Sequence, residues 1–277
     1  MKLIFENELG GFEMAGGGDA QIRITKINGI GIQPYERQLL SSYDFDGAAE
    51  SARRLPVRCI TAAGDIRSDP RRAAELMRIL SEPCRLLLSG SGIEREIQIS
   101  AAEAEFGEKN GPYMKFALSL SCDDPYFYDA EETVGGLFVR TKLINSQTTL
   151  PAVFSTRQAE AEVKVKGDRA VEPIIEILGG EARTGEGSIA IENLTDEKAF
   201  VINYVPQKDE RITIDVANRT ITSDIEGNII KYISDDSFMS DLVIEKDKTR
   251  MRAVGYGATG TMSAYIRYKN KYIEAFI

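Results

Sequence analysis

Alternation of apolar and polar residues at period two recurs along most of the chain, and it restricts the fold to sheets that bury one face. Ile22 and Ile24 stand between Gln21, Arg23 and Thr25. Ile93, Ile97 and Ile99 stand among Glu94, Glu96 and Gln98, and Met114, Phe116, Leu118 and Leu120 share one parity within 113–121. The pattern returns at Val163/Val165, Ile189/Ile191 and Ile212/Ile214/Val216. Successive side chains of a strand point to opposite faces, so each run predicts a half-buried antiparallel strand. The expected class is mainly β, with a small α contribution.

One helix is expected, over Asp69–Ser81. Asp69 suits the cap and Pro70 the first helical position, and Pro83 ends the run. Ala73, Leu76, Met77 and Leu80 form its apolar stripe. The helix lies between a strand ending near Ile66 and another at Arg85–Leu88.

The 277 residues suit about two domains. After Asp123-Asp124-Pro125-Tyr126-Phe127-Tyr128 the chain turns polar, with Gly135-Gly136 and Asn145-Ser146-Gln147. Short strands between turn signals such as Gly179-Gly180, Glu226-Gly227-Asn228 and Lys269-Asn270 then suggest a β-sandwich. The expected division is a mixed β domain with one helix at 1–130, a linker about 129–150, and a sandwich within 131–277.

Composition removes whole classes of chemistry. The chain has no histidine, so it has no Ser-His-Asp or Cys-His pair and no imidazole metal ligand. Its cysteines, Cys59, Cys84 and Cys122, are odd in number and widely spaced, which fits reduced thiols better than a disulfide framework. A net charge of −9 argues against a general DNA-binding face. The N-terminus turns acidic at Glu6 before a secretory apolar region forms, and no stretch has the apolar length to span a bilayer. Synthesis in the cytoplasm and no membrane anchor are expected.

Several motifs have a bland reading that outweighs the sharp one. Gly255-Tyr256-Gly257-Ala258-Thr259-Gly260 matches a dinucleotide fingerprint in letters, but Thr261–Tyr268 after it reads as a strand where a helix is required. Asp44-Phe45-Asp46-Gly47 lacks the remaining ligands of a calcium loop, so a tight turn is the better reading. Asp123-Asp124 and Asp235-Asp236 read as solvated surface charge. Tyr126-Phe127-Tyr128 reads as a packed plug, with a ligand-stacking platform as the alternative. No catalytic, cofactor-binding or metal-ligating residue is assigned.

Three segments together resemble the distal tail protein family of long-tailed bacteriophages and related prophages. They are Ile27-Asn28-Gly29-Ile30 with Asp46-Gly47 and Arg58-Cys59-Ile60; the strand from Phe116 to Cys122 running into Asp123-Asp124-Pro125-Tyr126-Phe127-Tyr128; and Ile212-Thr213-Ile214-Asp215 through Arg219-Thr220-Ile221 to Gly227-Asn228. The resemblance implies an N-terminal split-barrel-like belt domain and a C-terminal galectin-like sandwich. It further implies a homo-hexameric ring, single or doubled back to back, that joins the tail tube to the tail-tip hub or baseplate in the virion. Its neighbours would be the tail tube protein and the tail-tip hub or tail-associated protein, with a receptor-binding protein open as a further one. Genomic DNA would pass the lumen without specific binding, and Glu94, Glu96, Glu103 and Glu105 are candidates for an acidic inner wall. Two other functions stay open. One is a carbohydrate-binding sandwich contacting the host surface, with Tyr204, Tyr256, Tyr265 or Tyr268 stacking on sugar; the other is a carboxylate hydrolase.

Overall fold

The computed structural model describes residues 1–15, 22–40, 49–67, 70–142, 155–158, 160–180, 185–257, 259 and 262–276. The predicted Asp44–Gly47 turn, the Asp69 cap, Asn145–Gln147 and Gly260 lie outside them. Two compact units form: residues 1–130 together with 271–277, and residues 131–270.

The first unit runs β1 (Lys2–Asn7), β2 (Gly10–Ala15), β3 (Ile22–Asn28), β4 (Glu36–Leu40), β5 (Ala49–Arg54), β6 (Arg58–Arg67), α1 (Pro70–Leu80), β7 (Cys84–Gly90), β8 (Ile93–Ile99), β9 (Ala101–Asn110), β10 (Tyr113–Cys122) and β11 (Phe127–Asp129). One sheet has the order β2-β1-β7-β8-β11 and is completed by Lys271–Tyr272; a second has the order β3-β6-β10-β9; β4 and β5 pair alone. Leu3, Phe5, Leu86, Leu88, Ile97 and Ile99 of the first sheet and Ile60, Phe116, Leu118 and Leu120 of the second share one buried core. These are the parities that the sequence alternation predicts, because each strand can turn only one face inward.

The helix corrects its predicted stripe. Leu76, Ile79 and Leu80 are buried, whereas Met77 is 46% exposed. At 3.6 residues per turn Met77 stands about 100° around the helix from Leu76, while Leu80 lies about 40° to one side and Ile79 about 60° to the other. The face that packs on β1, β2 and β9 therefore leaves Met77 outside. Leu76→Ala should destabilise the first unit by about 2–5 kcal/mol, read as a lower melting temperature. An unchanged melting curve would mean that the helix contributes nothing to this core.

The second unit runs β12 (Thr133–Lys142), β13 (Ser155–Gln158), β14 (Ala161–Val165), β15 (Ile174–Gly179), β16 (Gly187–Asn193), β17 (Lys198–Ile202), β18 (Arg211–Asp215), β19 (Thr220–Ser223), β20 (Gly227–Asn228), β21 (Asp247–Gly257) and β22 (Met262–Tyr268). Its sheets have the orders β13-β12-β22-β15-β18-β19-β20 and β14-β21-β16-β17. Val163, Ile189, Ile191 and Phe200 on one side and Ile175, Ile212, Ile214 and Ile266 on the other fill a single core. The expected linker is in part strand, since Thr133–Phe138 pairs with β22 and Val139–Lys142 with β13. Residues 271–276 leave this unit and fold with the first, where Phe127 pairs with Tyr272 and the Ala275 amide donates to the Ile30 carbonyl.

No helix follows the glycine-rich Gly255–Gly260 segment, because β21 runs through Gly257 and Met262 opens β22. Gly257 has φ +62°, and a Cβ there would stand 2.4 Å from the Glu186 carbonyl oxygen. A close strand-to-strand approach therefore accounts for this glycine, in place of a phosphate-binding loop.

Candidate assembly surface

The parity that puts Ile60, Ala62 and Ile66 of β6 inward also puts Arg58 inward, where it is 1% exposed. A guanidinium carries five donors and stays protonated, so burial demands acceptors on every side. Arg58 Nε donates to the Pro125 carbonyl at 2.6 Å, Nη1 to the carbonyls of Gly29 (2.6 Å) and Gly31 (2.8 Å), and Nη2 to that of Ile273 at 2.6 Å. Its Cζ lies 4.7 Å from the centre of the Phe127 ring. Desolvation pulls its pKa below the usual arginine value, opposed in part by Cys122. One buried cation thus ties three stretches of chain to the start of β6.

Two of those stretches are segments that the sequence singles out. In the acidic-aromatic run, Phe127 is fully buried beneath Arg58, and Asp124 accepts from the Tyr126 amide and from the Tyr128 hydroxyl. The Lys271 ammonium lies 5.9 Å from the centres of both tyrosine rings. Phe127 is the packed member of the run, Tyr126 and Tyr128 stay half-buried, and Asp124 is a local hydrogen-bond acceptor. In the other stretch Gly29 has φ +84°, and a Cβ there would fall 2.1 Å from the Cys59 carbonyl oxygen. Only glycine makes this bend against β6.

From that bend the chain leaves the sheet as the β4–β5 ribbon. Every residue of β4 is exposed, with Leu39 at 52% and Leu40 at 57%. Ile32 (73%) and Val57 (50%) add two more aliphatic side chains beside its base. The base is held firmly. Gln33 Nε2 donates to the carbonyls of Pro56 (3.2 Å) and Val57 (3.0 Å), and Arg54 pairs with Glu36 at 3.0 Å. A two-stranded ribbon is marginal by itself in water, and the consecutive Leu39 and Leu40 leave an aliphatic side chain exposed on each of its faces.

The four-stranded sheet also ends in unpaired edges. Among the described residues no strand pairs with the outer side of β3 or of the ten-residue β9. Long open edges template pairing with another chain. The four acidic candidates do not share a face. Glu94 and Glu96 belong to the first sheet, where Glu96 meets Arg85 at 3.2 Å, whereas Glu103 and Glu105 line a shallow hollow on the second, beside Lys26 and Ser119.

Among the described residues no group of three or more cysteine, aspartate or glutamate side chains is arranged to hold a metal ion. Among the same residues no helix is long and apolar enough to cross a membrane. Sequence reasoning placed Arg58 only within a resembling segment and missed that it is the buried tie-point.

No family model matches the sequence, and no curated protein matches it. Solved structures do resemble the fold. The SPP1 Dit (gp 19.1) protein, described as a paradigm of the hub adsorption apparatus in phages infecting Gram-positive bacteria, aligns with a TM-score of 0.66 at 16% identity, over 97% of this chain and 98% of that one. Chains of the phage P2 baseplate in its activated conformation align with TM-scores of 0.54 (calcium form, 13% identity, 99% of this chain and 98% of that one) and 0.50 (strontium form, 11% identity, 96% and 97%). At these identities the likeness is one of fold, and it is the mainly β fold that the sequence resemblance implies.

Proposed function

We propose that this chain is a distal tail protein of a long-tailed bacteriophage, a non-enzymatic subunit of which six copies close a ring between the tail tube and the tail-tip hub. The observation that carries this reading is the exposed aliphatic ribbon, Leu39 and Leu40 with Ile32 and Val57 at its base, standing on the buried Arg58. An arm fixed at its root but bare along its length is suited to lie on the next subunit of a ring. The edges β3 and β9 are opposite ends of one sheet, so a head-to-tail contact can bring unlike edges together, and a closed cycle leaves neither free. Full-length likeness in fold to hub and baseplate chains supports the same reading.

The lumen follows from the ring. Glu103, Glu105 and Asp65 share their sheet face with Arg23, Lys26 and Lys115, which makes a surface of mixed charge where carboxylates compete with DNA phosphates for the cations. The pair Glu103 and Glu105 is the better candidate for a wall that DNA slides past, and Glu96, engaged by Arg85, is the poorer one.

Light scattering across a concentration series tests the assembly. The expected mass is six-fold or twelve-fold that of the subunit, and negative-stain images should show a ring with a central hole. The double variant Leu39→Glu, Leu40→Glu should remain folded and fall to a monomer. A wild-type chain that stays monomeric up to about 10⁻⁴ M, or a ring indifferent to both substitutions, overturns the reading.

A further inference from the structure

We propose that a tyrosine-lined groove at one end of the β16–β21 pair in the second unit is a binding site for a neutral saccharide. The groove opens where β17 leaves β16. The last rung of that pair is Ile189–Ile202, after which the Asn203 amide turns away to the Tyr232 carbonyl at 2.8 Å. Beyond that point Glu186, Ser188, Asn203, Tyr204, Tyr232 and Tyr256 line a hollow of about 710 Å³. Ligand pockets commonly hold a few hundred to about 1,000 Å³.

The rings are fixed before any ligand arrives. The Tyr204 hydroxyl donates to Glu210 at 2.7 Å, and its ring lies 5.2 Å from that of Tyr232 at an interplanar angle of 46°. Tyr256 is 48% exposed, and its hydroxyl donates to Glu192 Oε1 at 3.0 Å. The other oxygen of Glu192 accepts from Arg252 Nε at 2.6 Å. The Tyr204 and Tyr256 rings are therefore each held by a carboxylate and Tyr232 packs on Tyr204, so little ordering remains to be done on binding.

The lining chemistry selects the ligand class. A sugar ring has a flat face of C–H groups and a rim of hydroxyls. Tyrosine faces match the first, and the Asn203 amide, Ser188 hydroxyl and Glu186 carboxylate match the second. Among the described residues the one charged lining side chain is the Glu186 carboxylate, which disfavours phosphates and acidic polymers, and the nearby Lys231 ammonium is taken up over the Tyr232 ring, 4.9 Å from its centre. Among the described residues Val205 is its one aliphatic member, too little for a lipid or an apolar helix. Of the tyrosines that the sequence nominated, Tyr204 and Tyr256 come together here and Tyr232 joins them. Tyr268 is buried, with its hydroxyl donating to the Lys164 carbonyl, and Tyr265 stands on the opposite sheet.

Saturation-transfer NMR on the full-length protein tests the site, with tetrasaccharides of glucose, galactose, rhamnose and N-acetylglucosamine as separate probes. At least one should receive saturation on its ring C–H protons, with a Kd on the order of 1 mM, since one open groove offers few contacts. Tyr256→Ala should weaken that binding roughly ten-fold, the value of one stacked ring, with the melting temperature unchanged. Tyr265→Ala should leave it intact. Silence from all four sugars overturns the proposal, as does transfer that survives Tyr256→Ala. A proline-rich decapeptide that binds in their place, and loses binding in Tyr256→Ala, would reassign the groove to peptide. Ring mass is read separately, so failure here leaves the assembly reading standing.

Discussion

Replacing Arg58 with alanine should cost the first unit about 3–5 kcal/mol, much of the stability of a domain this size. The substitution strips donors from four carbonyls, those of Gly29, Gly31, Pro125 and Ile273, in a region where Arg58 itself is 1% exposed. Each buried acceptor left unpaired costs about 1–3 kcal/mol where water cannot replace the donor, and the space above Phe127 adds a cavity. Arg58→Met refills the volume but restores no donor, so it should recover only part of the loss. Arg58→Lys offers three donors from one point where the guanidinium spreads five over a plane, and it should fall between Met and wild type. Urea unfolding followed by near-ultraviolet circular dichroism measures this. The loss should appear in one of two transitions, because the second unit has its own core. A shift below about 1 kcal/mol for Arg58→Ala would mean that the carbonyls find water or new partners.

The same substitution connects stability to function. Arg58 holds the carbonyls of Gly29 and Gly31 shortly before the ribbon, and the ribbon's return strand ends four residues before Arg58 itself. An arm with a loosened root pays an ordering cost each time it meets a neighbour. Arg58→Lys should therefore weaken the proposed ring assembly more than its effect on melting suggests, and Leu76→Ala, far from the ribbon in sequence, should not.

Parity explains both what was legible and what was overlooked. Strand alternation located part of the core in both units, since Phe116, Leu118, Leu120, Ile189, Ile191, Ile212 and Ile214 are all buried. Continued two residues upstream, the same counting places Arg58 inward with Ile60, and Glu210 inward with Ile212. A charged residue at an inward position was the available signal for both. Their partners were not available, because Arg58 reaches Ile273 across 215 residues of sequence and no local pattern encodes that meeting. The ribbon was hidden for a different reason. Glu36-Arg37-Gln38-Leu39-Leu40 buries nothing within its own chain, so it shows no alternation. The final Lys271–Ile277 segment read as a continuation of the sandwich after the Lys269-Asn270 turn, and only its pairing with Phe127 and Tyr128 returns it to the first unit.

Glu210→Ala should cost the second unit about 3–5 kcal/mol, for the mirror-image reason that a buried anion is held entirely by donors. Glu210 is fully buried and accepts from the Tyr204 hydroxyl at 2.7 Å, the Gln207 amide at 2.6 Å and the Ser223 hydroxyl. Ser223 Oγ in turn accepts from the amides of Ile225 and Glu226, both at 3.0 Å, so one carboxylate organises the turn after β19 and the loop before β18 together. Glu210→Gln keeps the shape but puts an NH₂ group where a second acceptor is needed, and it should lose about 1–3 kcal/mol. An alkaline signature accompanies the change. Burial first, and the bond to Glu210 second, raise the Tyr204 pKa above the ordinary tyrosine value. Because the folded pKa lies above the unfolded one, this contribution is complete below about pH 10 and fades as pH rises through the folded value. The absorbance of ionised tyrosine should therefore rise at a lower pH in Glu210→Ala than in wild type. The substitution also frees the Tyr204 ring, so saccharide binding in the groove should fall even at temperatures where the variant is fully folded. Wild-type stability in Glu210→Ala would show that the three donors repair themselves with water, and that the Tyr204 ring is held by its packing on Tyr232 alone.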